Sequence, residues 1–308
     1  MAITAKAVAD LRAKTGIGMM ECKKALTEAN GDFDEAIKIL REKGLAVAAK
    51  KADRIAAEGI VDILVSDDGN TAAIIEVNSE TDFVAKNQNF KDFVKGILKT
   101  ILANKPADVD ALLACTFDGA SENVEAVLKQ KIFEIGENMS IRRFEIVEGT
   151  LSSYIHGGGT IGVIVNAQTD IADVTAVKAV LKNVALQAAA MNPSYLDKED
   201  VPESAIEAEK EILIQQIKND EKNANKPENI IEKMVAGKIG KFYDQNCLMQ
   251  QEYVKDDSLK VNAYVEAEAK ALGGAIKVTK FVRYEKGEGL QKREDNFAEE
   301  LEKLTQGK

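Results

Sequence analysis

The chain has no tryptophan, one histidine (His156) and only 5% aromatic residues in 308, so any aromatic side chain outside the core is a scarce group in an unusual place. Its three cysteines, Cys22, Cys115 and Cys247, are far apart, odd in number and form no C-x-x-C pair. That argues against a disulfide framework or a metal site of the zinc type and suits a reducing compartment. No apolar run approaches the ~18–20 residues of a membrane helix. The opening Met1-Ala2-Ile3-Thr4-Ala5-Lys6 lacks both the charged-then-apolar order of a signal peptide and the Arg-rich character of a transit segment. A cytoplasmic location with no membrane partner is expected. No G-x-x-x-x-G-K-[ST] occurs, which excludes a P-loop NTPase, and no G-x-S-x-G occurs, which removes the nucleophile elbow of the α/β-hydrolases. Positive charge is also short. Forty-one Lys and Arg against 51 Asp and Glu leave a net charge of −10, and nucleic acid is not expected as a partner, because phosphate affinity needs clustered basic residues.

What remains is ordinary globular composition, 45% hydrophobic and 30% charged, long enough for two or three modules. The first fifty or so residues read as three helices. Thr4 caps a helix through Lys14 that Thr15-Gly16 ends; a second runs over 19–29 to Asn30-Gly31; Asp32 and Glu35 open a third over 33–43, ended by Gly44. Val8, Leu11, Ala25, Leu26, Phe33, Ile37 and Leu40 recur at helical spacing.

After 47–57 the period changes to two. Residues 60–65 and 71–77, joined by Asp67-Asp68-Gly69-Asn70, predict a β-hairpin, followed by a helix over 90–102. The same order returns with strands 151–155 and 161–165 around a Gly-rich turn, then a helix over 174–191. Val77-Asn78-Ser79-Glu80-Thr81-Asp82 aligns with Val165-Asn166-Ala167-Gln168-Thr169-Asp170 at an offset of 88, and Glu58-Gly59 and Glu148-Gly149 open the two copies. An internal duplication giving two α+β subdomains is the expectation. Ile206, Leu213, Ile217 and Ile231, Met234, Val235, Ile239, Phe242 then trace two apolar stripes about a polar loop, with Pro227 placed for a first turn, which predicts an inserted helical hairpin. Strand-like residues resume at 275–284, and Phe297, Leu301 and Leu304 mark a short C-terminal helix.

Gly157-Gly158-Gly159-Thr160-Ile161-Gly162 satisfies G-x-G-x-x-G, but a strand follows it where a dinucleotide site needs a helix, so it reads as a hairpin turn. His156-Gly157-Gly158-Gly159 imitates an esterase oxyanion loop, with the same histidine left to serve as base. Asp82-Phe83-Val84 follows a strand and a polar run: Phe83 either turns back to cap the core or stands out as a wedge on a rigid scaffold. Met19-Met20 is either core filler or an adaptable apolar contact, and Arg12 is a surface charge by default.

Leu11-Arg12-Ala13-Lys14-Thr15-Gly16-Ile17-Gly18-Met19-Met20-Glu21-Cys22-Lys23-Lys24-Ala25-Leu26, followed by Asn30-Gly31-Asp32, closely resembles the amino-terminal signature of the elongation factor Ts family. Glu76-Val77-Asn78-Ser79-Glu80-Thr81-Asp82-Phe83-Val84-Ala85-Lys86 resembles its second signature, and Ile135-Gly136-Glu137-Asn138 with Ile141-Arg142-Arg143 fits a third block. The resemblance implies an α+β protein: a ubiquitin-associated-like three-helix bundle (1–54), a core subdomain (55–147), a second one (148–203 with 273–286), an inserted coiled-coil dimerisation hairpin (204–272) and a C-terminal module (287–308). It implies a guanine-nucleotide exchange factor without covalent chemistry or cofactor, whose partner is the GTPase elongation factor Tu, with a homodimer through the hairpin. By the family pattern Arg12, Met19 and Met20 touch the GTP-binding domain. Asp82 and Phe83, flanked by Thr81 and Val84, enter near its magnesium and phosphate site with Ile135 and Gly136 close by, and His156 matches a further contact position. A pure binding module built on the bundle, or a hydrolase around His156, are the alternatives from other classes.

Overall fold

The computed structural model describes residues 3–220 and 226–291, so the stripe Phe297, Leu301 and Leu304 lies outside the described residues. Helices α1 (Ala5–Thr15), α2 (Met19–Glu28) and α3 (Phe33–Lys51) form the first unit. The Thr4 hydroxyl accepts the Ala7 N–H at 3.2 Å, and the Asp32 carboxylate accepts the Glu35 N–H at 2.9 Å, so two helix starts find the donors that their sequence promises. Val8, Leu11, Ile17, Cys22, Ala25, Leu26, Ala36 and Leu40 make its core.

α3 does not stop at Gly44 but runs on to Lys51. Gly44 faces inward against Phe133 of a later helix, and packing there overrides the local stop signal. A methyl group at Gly44 would stand 3.6 Å from Phe133, an ordinary contact. Gly44→Ala therefore stabilises the fold by about 0.5–1 kcal/mol, the helix-interior difference between the two residues. Thermal unfolding measures it, and a lowered midpoint would contradict this packing.

Strands β1 (Glu58–Val65) and β2 (Thr71–Ser79) form the predicted hairpin; α4 (Asp82–Lys86), α5 (Gln88–Asn104), α6 (Val109–Ala114) and α7 (Val124–Ile135) follow, and β3 (Met139–Glu148) completes an antiparallel sheet of order β1-β2-β3. The second half repeats the plan with β4 (Thr150–His156), β5 (Ile161–Thr169) and α8 (Val174–Met191). After the paired helices α9 (Glu203–Asn219) and α10 (Glu228–Asn246) come the short strands β6 (Glu252–Tyr253) and β7 (Asp256–Lys260) and helix α11 (Val261–Ala271). β8 (Ile276–Glu285) then closes a sheet of order β4-β5-β8.

The duplication extends to single hydrogen bonds. The Asn78 amide donates to the Glu58 carbonyl at 3.0 Å, and the Asn166 amide donates to the Glu148 carbonyl at 3.0 Å. Gly59 and Gly149 hold φ of +120° and +124°, backbone open to glycine, where a side chain would meet the strand bearing that asparagine.

The two sheets face each other, with helices packed outside each, α5 foremost on the first and α8 on the second. Ala73, Ile75 and Val77 of β2 pack on Phe90, Phe93, Val94 and Ile97 of α5, whereas Ala72 and Ile74 meet Leu151, Ile164, Val282 and Tyr284 of the second sheet. Burial on both faces explains why 72–77 reads as one apolar run broken only by Glu76. On the far side Val163, Val165 and Ala167 pack on Val177, Leu181, Val184 and Ala188 of α8. α8 is long and apolar enough to cross a membrane by length and composition, and this is the face it lays on the sheet.

α9 and α10 pack through Leu213, Ile217, Ile231, Val235 and Ile239 as an antiparallel pair. Residues 247–271 differ from the sequence grouping: Leu248, Tyr253, Val261 and Val265 join the α8 core rather than the helical pair.

Candidate functional site

Phe83 is the starting point because its side chain is 80% exposed, the most open of the large apolar residues among those described. Leaving a Phe in water forgoes roughly 1.5–3 kcal/mol of burial. Its direction is set locally. Thr81 is the N-cap of α4, and within that short helix Val84 and Ala85 turn into the α5 core. Phe83, on the other side of the turn, has nowhere to go but outward. The reading of Phe83 as a core cap is thereby excluded.

The loop is clamped. The Glu137 carboxylate accepts the Thr81 N–H at 3.0 Å and the Thr81 hydroxyl at 2.7 Å. The Ser79 hydroxyl donates to the Thr81 carbonyl at 3.0 Å. One residue earlier, the Glu80 carboxylate accepts the Asn138 N–H at 2.6 Å and pairs with Arg54. The Asn138 amide donates to the carbonyls of Ala52 and Arg54 at 3.2 and 2.8 Å, and Lys51 reaches the Gly136 carbonyl. Residues 136–138 thus tie the bundle's exit segment to the loop that bears Phe83. Glu80, Glu137 and Asn138 stood in the sequence blocks but carried no assigned role; pairing across so many residues left no local signal.

Asp82 sits half-exposed in the first turn of α4, its carboxylate 2.5 Å from the Lys86 ammonium. The hydrogen bond from Lys86, with the charge of Lys286 farther off, holds its carboxyl below the usual carboxylate range. It is an anion at neutral pH.

Phe83, Val84 and Ile135 line one open groove of about 720 Å³ together with Lys14, Thr15 and Gly16 at the end of α1. Gly136, the cap of α7, is exposed. Met19 and Met20, 53% and 63% exposed, and exposed Arg12 lie outside the groove lining on the two helices joined by the 16–18 loop, while Ile17 of that loop turns into the bundle. Core filler is thereby excluded for the two methionines.

His156 is not in the groove. It is exposed at the end of β4, its Nδ1 3.0 Å from the Tyr154 hydroxyl. The Gly-rich segment after it is the β4–β5 turn and leads into a strand, not a helix. That turn is held to the first half by the Gly159 carbonyl, which accepts the Val61 N–H at 2.8 Å, and to the end of β8 by the Thr160 carbonyl, which accepts the Lys286 N–H at 2.9 Å. Lys286 in turn pairs with Glu58 and lends its charge to Asp82, so one lysine relates the turn to the Phe83 loop.

A second network went unread in the sequence. Glu76, 0% exposed, accepts Arg142 at 3.0 and 3.1 Å, Arg143 at 2.7 Å, the Asn78 amide at 3.1 Å and the Gly287 N–H at 2.8 Å. Arg143 lies over the Tyr284 ring at 4.2 Å. Among the described residues no three His, Cys, Asp or Glu side chains gather as metal ligands, and burial pushes the Cys247 thiol up to about 11.

Residues 80–288 match the family model described as Elongation factor TS. Among curated proteins, Elongation factor Ts of Syntrophotalea carbinolica is 46% identical over 308 residues, 99% of this chain and 100% of its own. The protein of the same name from Clostridium kluyveri is 47% identical over 310 residues, 99% and 100% of the two chains. That from Nitratiruptor is 49% identical over 306 residues, 98% of each.

Proposed function

The chain belongs to the elongation factor Ts family, and from that premise we propose that it is a guanine-nucleotide exchange factor that promotes GDP release from elongation factor Tu during translation elongation in the cytoplasm. The observation that carries this reading is a bare phenylalanine on a loop anchored by Glu137. Such a group gains by entering a cavity of another protein, and a clamped loop loses little entropy when it does.

Exchange needs no general base and no bond to a nucleotide. The factor binds the emptied GTPase more tightly than the GDP-bound one, and linkage weakens GDP by the same ratio. Accelerating release about 10⁴-fold takes roughly 5.5 kcal/mol, more than the roughly 1.5–3 kcal/mol that burying one Phe supplies. Several contacts must therefore act together. Phe83 pries apart side chains beside the magnesium ligands of the GTPase. Asp82, an anion, disturbs the phosphate side with Thr81 and Val84. Ile135 and Gly136 line the approach, Arg12, Met19 and Met20 anchor the bundle on the GTP-binding domain, and His156 adds a contact from the second half. The exposed Ile212 and Ile230 support reading the α9–α10 pair as a homodimer surface.

The test is release of a fluorescent GDP analogue from elongation factor Tu. Substoichiometric amounts of the protein speed release by orders of magnitude; an unchanged release rate overturns the reading and leaves a pure binding module.

A further inference from the structure

We propose that Tyr154 is a positioning residue: held by Lys182, it fixes the His156 imidazole as a directed N–H donor toward an oxygen acceptor on the GTPase. This deepens the exchange-factor reading and rests on it. Tyr154 and His156 are two residues apart on β4 and so share one face of the sheet. Tyr154 packs at the edge of the α8 core on that face. Lys182 of α8 donates to the Ser153 carbonyl, and its ammonium stands 5.0 Å from the centroid of the Tyr154 ring. A cation over a phenol ring draws electron density from it and makes the O–H a better donor. The phenol oxygen is 3.0 Å from His156 Nδ1, with the two rings 6.0 Å apart and tilted by 46°.

The direction of that hydrogen bond follows from acid–base strength. An imidazole nitrogen is a better acceptor than a phenol oxygen, so Tyr154 donates and Nδ1 accepts. The neutral ring then carries its proton on Nε2. His156 is exposed, so this N–H is presented to whatever docks against the turn. Gly159 and Thr160 bond that turn to Val61 and Lys286, so the donor is fixed relative to the Phe83 loop as well as to its own strand. A donor held in one tautomer and one orientation binds without first losing ring freedom.

The chain has a single histidine, so its ring spectrum needs no assignment. Tyr154→Phe keeps the ring under Lys182 and removes only the hydroxyl. In the wild-type protein, ¹⁵N shifts of the neutral ring at alkaline pH show Nδ1 unprotonated and accepting a hydrogen bond; in Tyr154→Phe they move to a mixture of tautomers. In the GDP-release assay the amount of Tyr154→Phe needed for half-maximal release rises about two- to fivefold, the scale of one lost orienting hydrogen bond, with the maximal rate kept. His156→Ala shows at least that shift, and adding Tyr154→Phe to it causes no further loss. An unchanged ring spectrum in Tyr154→Phe, or independent effects in the double variant, overturns the proposal. Failure of the wild-type protein to release GDP would instead overturn the exchange reading, while the ring spectrum still decides whether Tyr154 orients His156.

Discussion

Phe83→Ala slows GDP release from elongation factor Tu roughly tenfold or more, with the unfolding midpoint of the factor unchanged. The size follows from what the ring does in each state. In the free protein it is 80% exposed, so truncation removes almost no internal packing and changes stability by less than about 0.5 kcal/mol. On the proposed reading it occupies a cavity of the GTPase in the complex, so its loss removes roughly 1.5–3 kcal/mol from the state that holds the GTPase empty, a factor of about ten or more in rate. The backbone stays put because its clamp, the Glu137 carboxylate on Thr81, does not involve the ring. Release kinetics beside circular dichroism and thermal unfolding make the comparison. Wild-type exchange by Phe83→Ala would remove the wedge from the mechanism.

Glu76→Ala has the largest expected effect on stability, a loss of about 3 kcal/mol. Its carboxylate is the shared acceptor of two guanidiniums, an amide and a backbone N–H, and it joins β2, β3 and the residues after β8. Deleting it strands a buried N–H and leaves Arg143 with only the half-exposed Glu288 carboxylate at 3.2 Å and Arg142 with a backbone carbonyl, a change of about 3–5 kcal/mol where such a pair is fully dry. Arg142 and Arg143 keep side-chain exposures of 25% and 30%, which places the loss at the lower end. Denaturant unfolding at pH 7 measures it.

The same group sets an acid dependence. Burial alone would raise the Glu76 carboxyl, but hydrogen bonds from Gly287, Asn78, Arg143 and Arg142 together outweigh it and hold the group below its ordinary 4.5. Its folded value is thus lower than its unfolded one. The stabilisation it brings is complete above about 4.5 and is lost as pH falls through the folded value. Wild type and Glu76→Ala therefore converge in stability on acidification below that point. A gap that stays constant down to the acid transition would show that the charge of Glu76 is not what holds the junction.

Much of the fold is legible because it is local. α8 runs over Val174–Met191, the limits its stripe and the following Pro193 indicate, and the hairpin of β1 and β2 turns where Asp67-Asp68-Gly69-Asn70 says it should. The duplication is visible because Asn78 and Asn166 each bond back to the strand start that Glu58-Gly59 and Glu148-Gly149 mark. Gly44 was misleading for the opposite reason: its fate depends on Phe133, far along the chain. Phe83 was undecided between core and solvent, since a single aromatic after a polar run carries no periodicity. The inward turn of Val84 and Ala85 within α4 settles it.

The sequence by itself determined the three bundle helices, the two hairpins with the long helix after each, and the family, because caps, turns and apolar spacing act over a few residues and long motifs are read directly; α6, α7, β3 and α11 were not read. Only the tertiary structure decided which groups hold the candidate site. Thr81 meets Glu137 across 56 positions and Glu76 meets Gly287 across 211, and no local preference encodes such pairs. Thr81 and Glu137 meet where the antiparallel β2–β3 pairing ends, at Ser79 opposite Met139, and Glu76 meets Gly287 where the two packed sheets join, so that the buried carboxylate finds the donors it needs.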